Sequence, residues 1–183
     1  MRGRTGDSVS RGRGERTESV MRILGIDPGL RICGYGCIDV GGGGGAVLVE
    51  AGVLRFEAKG SMEERLGRIH GSLVELIGEL RPTHVAVEKL YAHYKHPRTA
   101  ILMAHARGVI LLAAGQAGLG VRHLPATEVK KSLTGNGHAT KRQMQGAIAG
   151  VFRLKEPPSP PDVADALAIA LCAARRIARP VRL

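Results

Sequence analysis

The sequence predicts an α/β fold: a mixed five-stranded sheet, its first three strands antiparallel, flanked by helices. Three observations predict it. Three strand-like runs, RILGIDP, ICGYGCIDV and AVLVEAGVLRF, come first and are separated only by turn signals. After them, helical spacing alternates with short apolar runs in the order helix, strand, helix, strand, helix, before a closing helix. No internal repeat or long linker interrupts residues 22–179, so 21–179 is expected to be one domain.

The elements follow in order. Pro28-Gly29 is a turn pair between the first two strands. The glycine run at 41–45 connects the second strand to the third without backbone restriction. In SMEERLGRIHGSLVELIGELRP, Leu66, Ile69, Leu73, Leu76, Ile77 and Leu80 recur at helical spacing. Ser61 with Glu64 is a capping box, and Pro82 ends the helix. THVAVEK is a short buried strand, 98–117 a long helix, VRHLP a fifth strand and ATEVKKSLTG a short helix. GNGHAT is expected to be a flexible polar loop and KRQMQGAIAGVF a helix. EPPSPP is a rigid break, and DVADALAIALCAARRIA closes the fold as a helix.

The 183 residues carry a net charge of +11, with 44% hydrophobic residues. Positions 1–20 hold five Arg against Asp7, Glu15 and Glu18, a share of +2, so about +9 belongs to the rest. The basicity is therefore not a tail effect, and a basic globular domain implies a polyanionic partner such as nucleic acid. Residues 1–20 are rich in Arg, Gly and Ser and lack the apolar core of a secretory signal. They are expected to be a disordered basic extension, with Met21 a possible start. The longest apolar stretch, ILMAHARGVILLAAGQAGL, is interrupted by His105 and Arg107, so no membrane span is expected. Three cysteines, Cys33, Cys37 and Cys172, with no second pair at zinc spacing, read as small buried hydrophobes in a reducing, cytoplasmic compartment.

Four acids stand where burial is expensive. Asp27 closes the apolar run Ile23, Leu24, Ile26, and Glu88 closes Val85, Val87. Asp162 and Asp165 share one face at the start of the last helix. Singly, each could cap a turn or favour a helix N-terminus. Together they fit one purpose if the first and fourth strands are neighbours. Clustered carboxylates repel unless hard divalent cations sit among them, and oxygen ligands suit Mg²⁺ or Mn²⁺. Two such ions are the equipment of phosphodiester hydrolysis.

ILGIDPGLRICGYG, VAVEKLY, HARGV, ATEVKKSLTGNGHATKRQMQ and PPDVADALAIA, in that order, resemble the bacterial RuvC crossover-junction endonucleases. GIDPG alone also opens the phosphate loop of actin-like kinases, but those need a second such loop and a longer chain. The resemblance implies an RNase H-like fold and a metal-dependent homodimer that nicks a four-way DNA junction symmetrically, working with RuvA and RuvB. It places the metal-binding tetrad on Asp27, Glu88, Asp162 and Asp165, and two catalytic cations on Lys130 and Lys141. An aromatic that stacks at the junction falls on Tyr91, where the family often has Phe. Lys95, Arg98 and Arg107 are further candidates for DNA phosphate contacts. His93, His96 and His138 are assigned no metal. Two other functions compete: an RNase H-like nuclease processing ribosomal RNA precursors, and a non-catalytic junction-binding protein. The latter would be expected to lack at least one of the four acids.

Overall fold

The computed structural model describes residues 20–41, 45–90 and 97–178. The expectations for residues 1–19, for the centre of the glycine run and for Tyr91, His93, Lys95 and His96 lie outside them. Five strands, β1 (Met21–Asp27), β2 (Ile32–Val40), β3 (Ala46–Arg55), β4 (His84–Glu88) and β5 (Gly120–Leu124), form one sheet in the order β3-β2-β1-β4-β5. β1, β2 and β3 pair antiparallel, while β1–β4 and β4–β5 are parallel. The mixed sheet and its neighbouring first and fourth strands are as expected.

Strand periodicity decides what each face carries, because successive side chains point to opposite sides. On one face, Leu24, Ile26, Cys33, Cys37, Val85 and Val87 pack against α1 (Met62–Leu80) and α2 (Pro97–Gln116). On the other, Ile23, Ile38, Ala86 and Leu124 meet α3 (Ala126–Thr134), α4 (Lys141–Phe152) and α5 (Pro161–Ala178). All three cysteines are free and buried within these cores.

α1 has the expected capping box: the Glu64 N–H donates to Ser61 Oγ, and the Ser61 N–H to Glu64 Oε2 at 2.9 Å. Its stop precedes Pro82. Arg81 is left-handed (φ 48°) and its N–H donates to the Ile77 carbonyl, so a C-cap ends the helix and proline bars its renewal. The GNGHAT segment differs from the flexible loop expected. Asn136 Oδ1 accepts from the His138 N–H, Ala139 is buried, and Thr140 with Gln143 forms a second capping box that starts α4. The break before α5 is tied back to α4 by Gln145, whose Nε2 donates to the Pro158 carbonyl.

α2 is unusual. Its stretch Arg98–Gln116 has a mean hydropathy of 1.3 but only 22% of it is buried, so by length and composition alone it could cross a membrane. Its packing argues otherwise. Ala106, Ile110, Ala113 and Ala114 lie in the core, and the helix is the crossover between two parallel strands of one sheet. Its outer face leaves Ile101, Leu102 and Leu112 exposed.

Candidate active site

Alternation along β1 sends Leu24 and Ile26 to the α1–α2 face, and therefore Ile23, Gly25 and Asp27 to the face that carries α5. The same argument on β4 sends Val85 and Val87 one way, and Ala86 and Glu88 toward α5. Because Ile26 pairs in parallel with Val87, Asp27 and Glu88 end neighbouring strands on the same face. The carboxylate that ends a core strand thus faces another that does the same.

α5 brings the other two acids because nothing keeps it off the sheet. A Cβ at Gly25 would lie 2.2 Å from the Ala166 carbonyl oxygen, one at Gly34 2.2 Å from that of Asp162, and one at Gly36 2.7 Å from Leu167 Cδ2. These three glycines on the α5 face of β1 and β2 let the helix backbone rest on strand backbone. Ala164, Ala166, Ala168 and Ala170, all buried, line the helix with side chains short enough for it. Gly34 is the ladder partner of Asp27, so the contact at Gly34 sets Asp162 beside Asp27.

The electrostatics record this convergence. The Asp27 carboxyl is pushed up to about 7, first by burial and then by the charges of Asp165, Glu88 and Asp162, with Lys141 pulling it back. Glu88 is raised by burial and then by Asp165, and Lys130 opposes the shift. Asp165 is raised by burial, with Asp162 adding to it and Lys141 and Lys130 opposing. Four acids and two lysines from five elements therefore share one field at the C-terminal ends of β1 and β4. Lys130 is half-buried in the middle of α3, whereas Lys141 is exposed as the first residue of α4, immediately after its Thr140 cap.

The chemistry of the donor set fits a hard divalent ion. Every candidate ligand is a carboxylate oxygen, and three of the four acids are held above their ordinary range by burial and by one another's charge. Among the described residues, no three His, Cys, Asp or Glu side chains already converge at metal-ligand spacing.

Arg107 has a role the sequence did not signal. Its Nε donates to the Glu88 carbonyl at 3.0 Å, and its Nη2 to His123 Nδ1 at 2.6 Å. An arginine cannot accept, so His123 is the neutral imidazole with its proton on Nε2. Its pKa is lowered by burial and then by Arg107 and Lys89, in agreement with that state. Arg107 thus ties α2 to the ends of β4 and β5. Arg98 is exposed in the first turn of α2, and His138 is exposed in the loop before α4.

The family model described as crossover junction endodeoxyribonuclease RuvC matches residues 23–173. Crossover junction endodeoxyribonuclease RuvC of Rhodopirellula baltica is 48% identical over 157 residues, 86% of this chain and 88% of the relative. That of Heliobacterium modesticaldum is 46% identical over 157 residues, again 86% of this chain, and 96% of the relative. Among solved structures, T. thermophilus RuvC in complex with Holliday junction substrate superposes with a TM-score of 0.77 at 38% identity, covering 84% of this chain and 93% of the other. The yeast mitochondrial Holliday junction resolvase Ydc2 shares the fold, with a TM-score of 0.63 at 12% identity, covering 85% of this chain and 78% of the other.

Proposed function

Because the chain belongs to the RuvC family of crossover junction endodeoxyribonucleases, we propose that it resolves Holliday junctions in DNA recombination and repair. It nicks two strands of like polarity symmetrically at the four-way junction. The observation that carries the site assignment is the common field of Asp27, Glu88, Asp162 and Asp165, opposed by Lys130 and Lys141.

The four carboxylates hold Mg²⁺ or Mn²⁺, two ions per site. Such ions supply a nucleophilic water at neutral pH and neutralise charge at the phosphate. The remaining work belongs to the chain. Strand ends from one rigid sheet fix Asp27 and Glu88, and α5 fixes Asp162 and Asp165, so the ligands are set before DNA arrives. Lys130 and Lys141 hold the scissile phosphate and steady charge as it builds in the transition state. Tyr91 stacks at the junction centre, and Lys95, Arg98 and Arg107 contact phosphates.

The enzyme acts as a homodimer, which presents two copies of the site to the two strands of like polarity. The exposed apolar face of α2 supports this. A cleft of about 450 Å³ there is lined by Ile101, Ala104, His105, Gly108, Val109 and Leu112, and a second copy of α2 would cover it. Residues 21–179 are the nuclease domain. By its family the enzyme works in the cytoplasm with RuvA and RuvB.

The test is cleavage of a synthetic mobile four-way junction with and without Mg²⁺ or Mn²⁺, beside linear duplex and the Asp27→Asn variant. Paired, metal-dependent nicks in the junction only, lost in Asp27→Asn while binding survives, are expected. Tight binding without cleavage would leave a non-catalytic junction binder. Cleavage of structured RNA with indifference to junctions would move the assignment to a nuclease of ribosomal RNA precursors.

A further inference from the structure

Two clefts, one between α3 and α5 and one at the edge strand β5, share one residue. The larger, of about 520 Å³, is lined by Glu128, Lys131, Ser132, Cys172, Arg175 and Arg176. The smaller, of about 290 Å³, is lined by Lys89, Val121, Arg122, His123 and Arg176. Arg176 joins them into one groove running from the edge strand β5 to the last turn of α5. Five permanent cations, Lys89, Arg122, Lys131, Arg175 and Arg176, face a single carboxylate, Glu128.

Basic residues in the last turn of a helix often serve only its dipole. That accounts for Arg175 and Arg176 in α5 and for Lys131 in α3, but not for Arg122 in β5 or Lys89 just after β4. The two arginines are also held in place. Arg175 Nη1 donates to the Ser132 carbonyl and, at 3.3 Å, to Ser132 Oγ, and Arg176 pairs with Glu128 at 3.5 Å. Held arginines lose less freedom when they take a ligand. Two of the groove's lysines are chain neighbours of site residues: Lys89 follows Glu88 and Lys131 follows Lys130.

We propose that this groove seats the phosphate backbone of a DNA arm leaving the active site, a contact distinct from those at the scissile phosphate. The inference rests on the nuclease reading above. Arg176 lies about three turns of α5, roughly 16 Å, beyond Asp165. At 3.4 Å per base pair, that places the contact about five pairs from the nick.

The experiment is a salt titration of junction binding by the full chain in chelator, which keeps the DNA intact. It compares wild type with Arg175→Gln/Arg176→Gln on an all-phosphate junction. A second junction carries neutral methylphosphonate linkages about five pairs from the exchange point. Each phosphate contact contributes about 0.9 to the slope of log affinity against log salt, so the variant should lose a slope of about 2 on the first junction and nothing on the second. Glu128→Gln should tighten binding. Arg122→Gln/Lys131→Gln serves as the fold-neutral partner, because neither side chain makes a hydrogen bond or ion pair among the described residues. It should lower the slope in the same way. An unchanged slope in both double variants, or equal losses on both junctions, would overturn the groove. Failure of the nuclease reading would look different: wild type would prefer the junction without cleaving it in Mg²⁺, or would not prefer junction over linear duplex, while the slope difference between wild type and variants would persist.

Discussion

Gly34→Ala tests the way the fold builds its site. The added Cβ would stand 2.2 Å from the Asp162 carbonyl oxygen, 2.7 Å from its carbonyl carbon and 3.1 Å from its Cβ. Ordinary contact needs about 3.5 Å, so the first turn of α5 must lift from β2 by roughly 1 Å. Backbone meets backbone there, and no side-chain rotation can relieve the overlap. Overpacking of this kind costs about 1–3 kcal/mol, and a displacement of about 1 Å in a catalytic group can slow chemistry ~100-fold. Single-turnover cleavage at saturating junction, with thermal unfolding alongside, reads both effects. Gly36→Ala is the comparison. Its Cβ would press mainly on the Leu167 side chain, at 2.7 Å from Cδ2, further along the helix from Asp162. It should destabilise while sparing more of the rate. A folded Gly34→Ala protein that cleaves at the wild-type rate would refute the reasoning.

Other outcomes follow from the same geometry. The Asp27 carboxyl at about 7 lies above its unfolded value near 3.9, so its ionisation opposes folding. That penalty is absent below about pH 4, grows as pH rises to about 7 and stays constant above, reaching at most about 4 kcal/mol. Asp27→Asn should therefore be the more stable protein at pH 8 in chelator, by denaturant unfolding, with the gap closing toward pH 4 or on adding Mg²⁺; a gap independent of pH would contradict it. Thr140→Ala removes the cap of α4 and should lower stability by about 1 kcal/mol, and slow cleavage because Lys141 follows the cap directly. Arg107→Met frees the Glu88 carbonyl and His123; it should raise the Mn²⁺ concentration for half-maximal cleavage, and an unchanged metal dependence would remove Arg107 from the support of β4.

The sequence carried the acids because each breaks a local rule. Asp27 and Glu88 end runs whose other members are apolar, and Asp162 and Asp165 open a helix that stays apolar from Ala166 to Ala174. Periodicity gave the sheet and its flanking helices for the same reason. What brings the acids together was harder to see. Gly25, Gly34 and Gly36 fall at every second position, on the face α5 covers, while the larger residues beside them point the other way, which is a signal of close approach. Nothing local says which helix approaches, since that depends on residues more than a hundred positions away. The Thr140–Gln143 capping box was present as T-x-x-Q, but the glycines before it suggested a loose loop. Arg81 and Arg153 both end helices in left-handed conformation, where glycine is the usual signal. Arg107 was legible only as a charge. That two of its donors meet Glu88 and His123 depends on how α2 lies over β4 and β5, a tertiary fact with no short-range trace.

The central claim is that Asp27, Glu88, Asp162 and Asp165 form one metal centre. Anomalous diffraction from crystals grown with Mn²⁺ tests it most directly. The account predicts peaks among those four carboxylates, lost when Asp27→Asn protein is crystallised the same way. Mn²⁺ bound at other groups, with these four acids left without a peak, would contradict it.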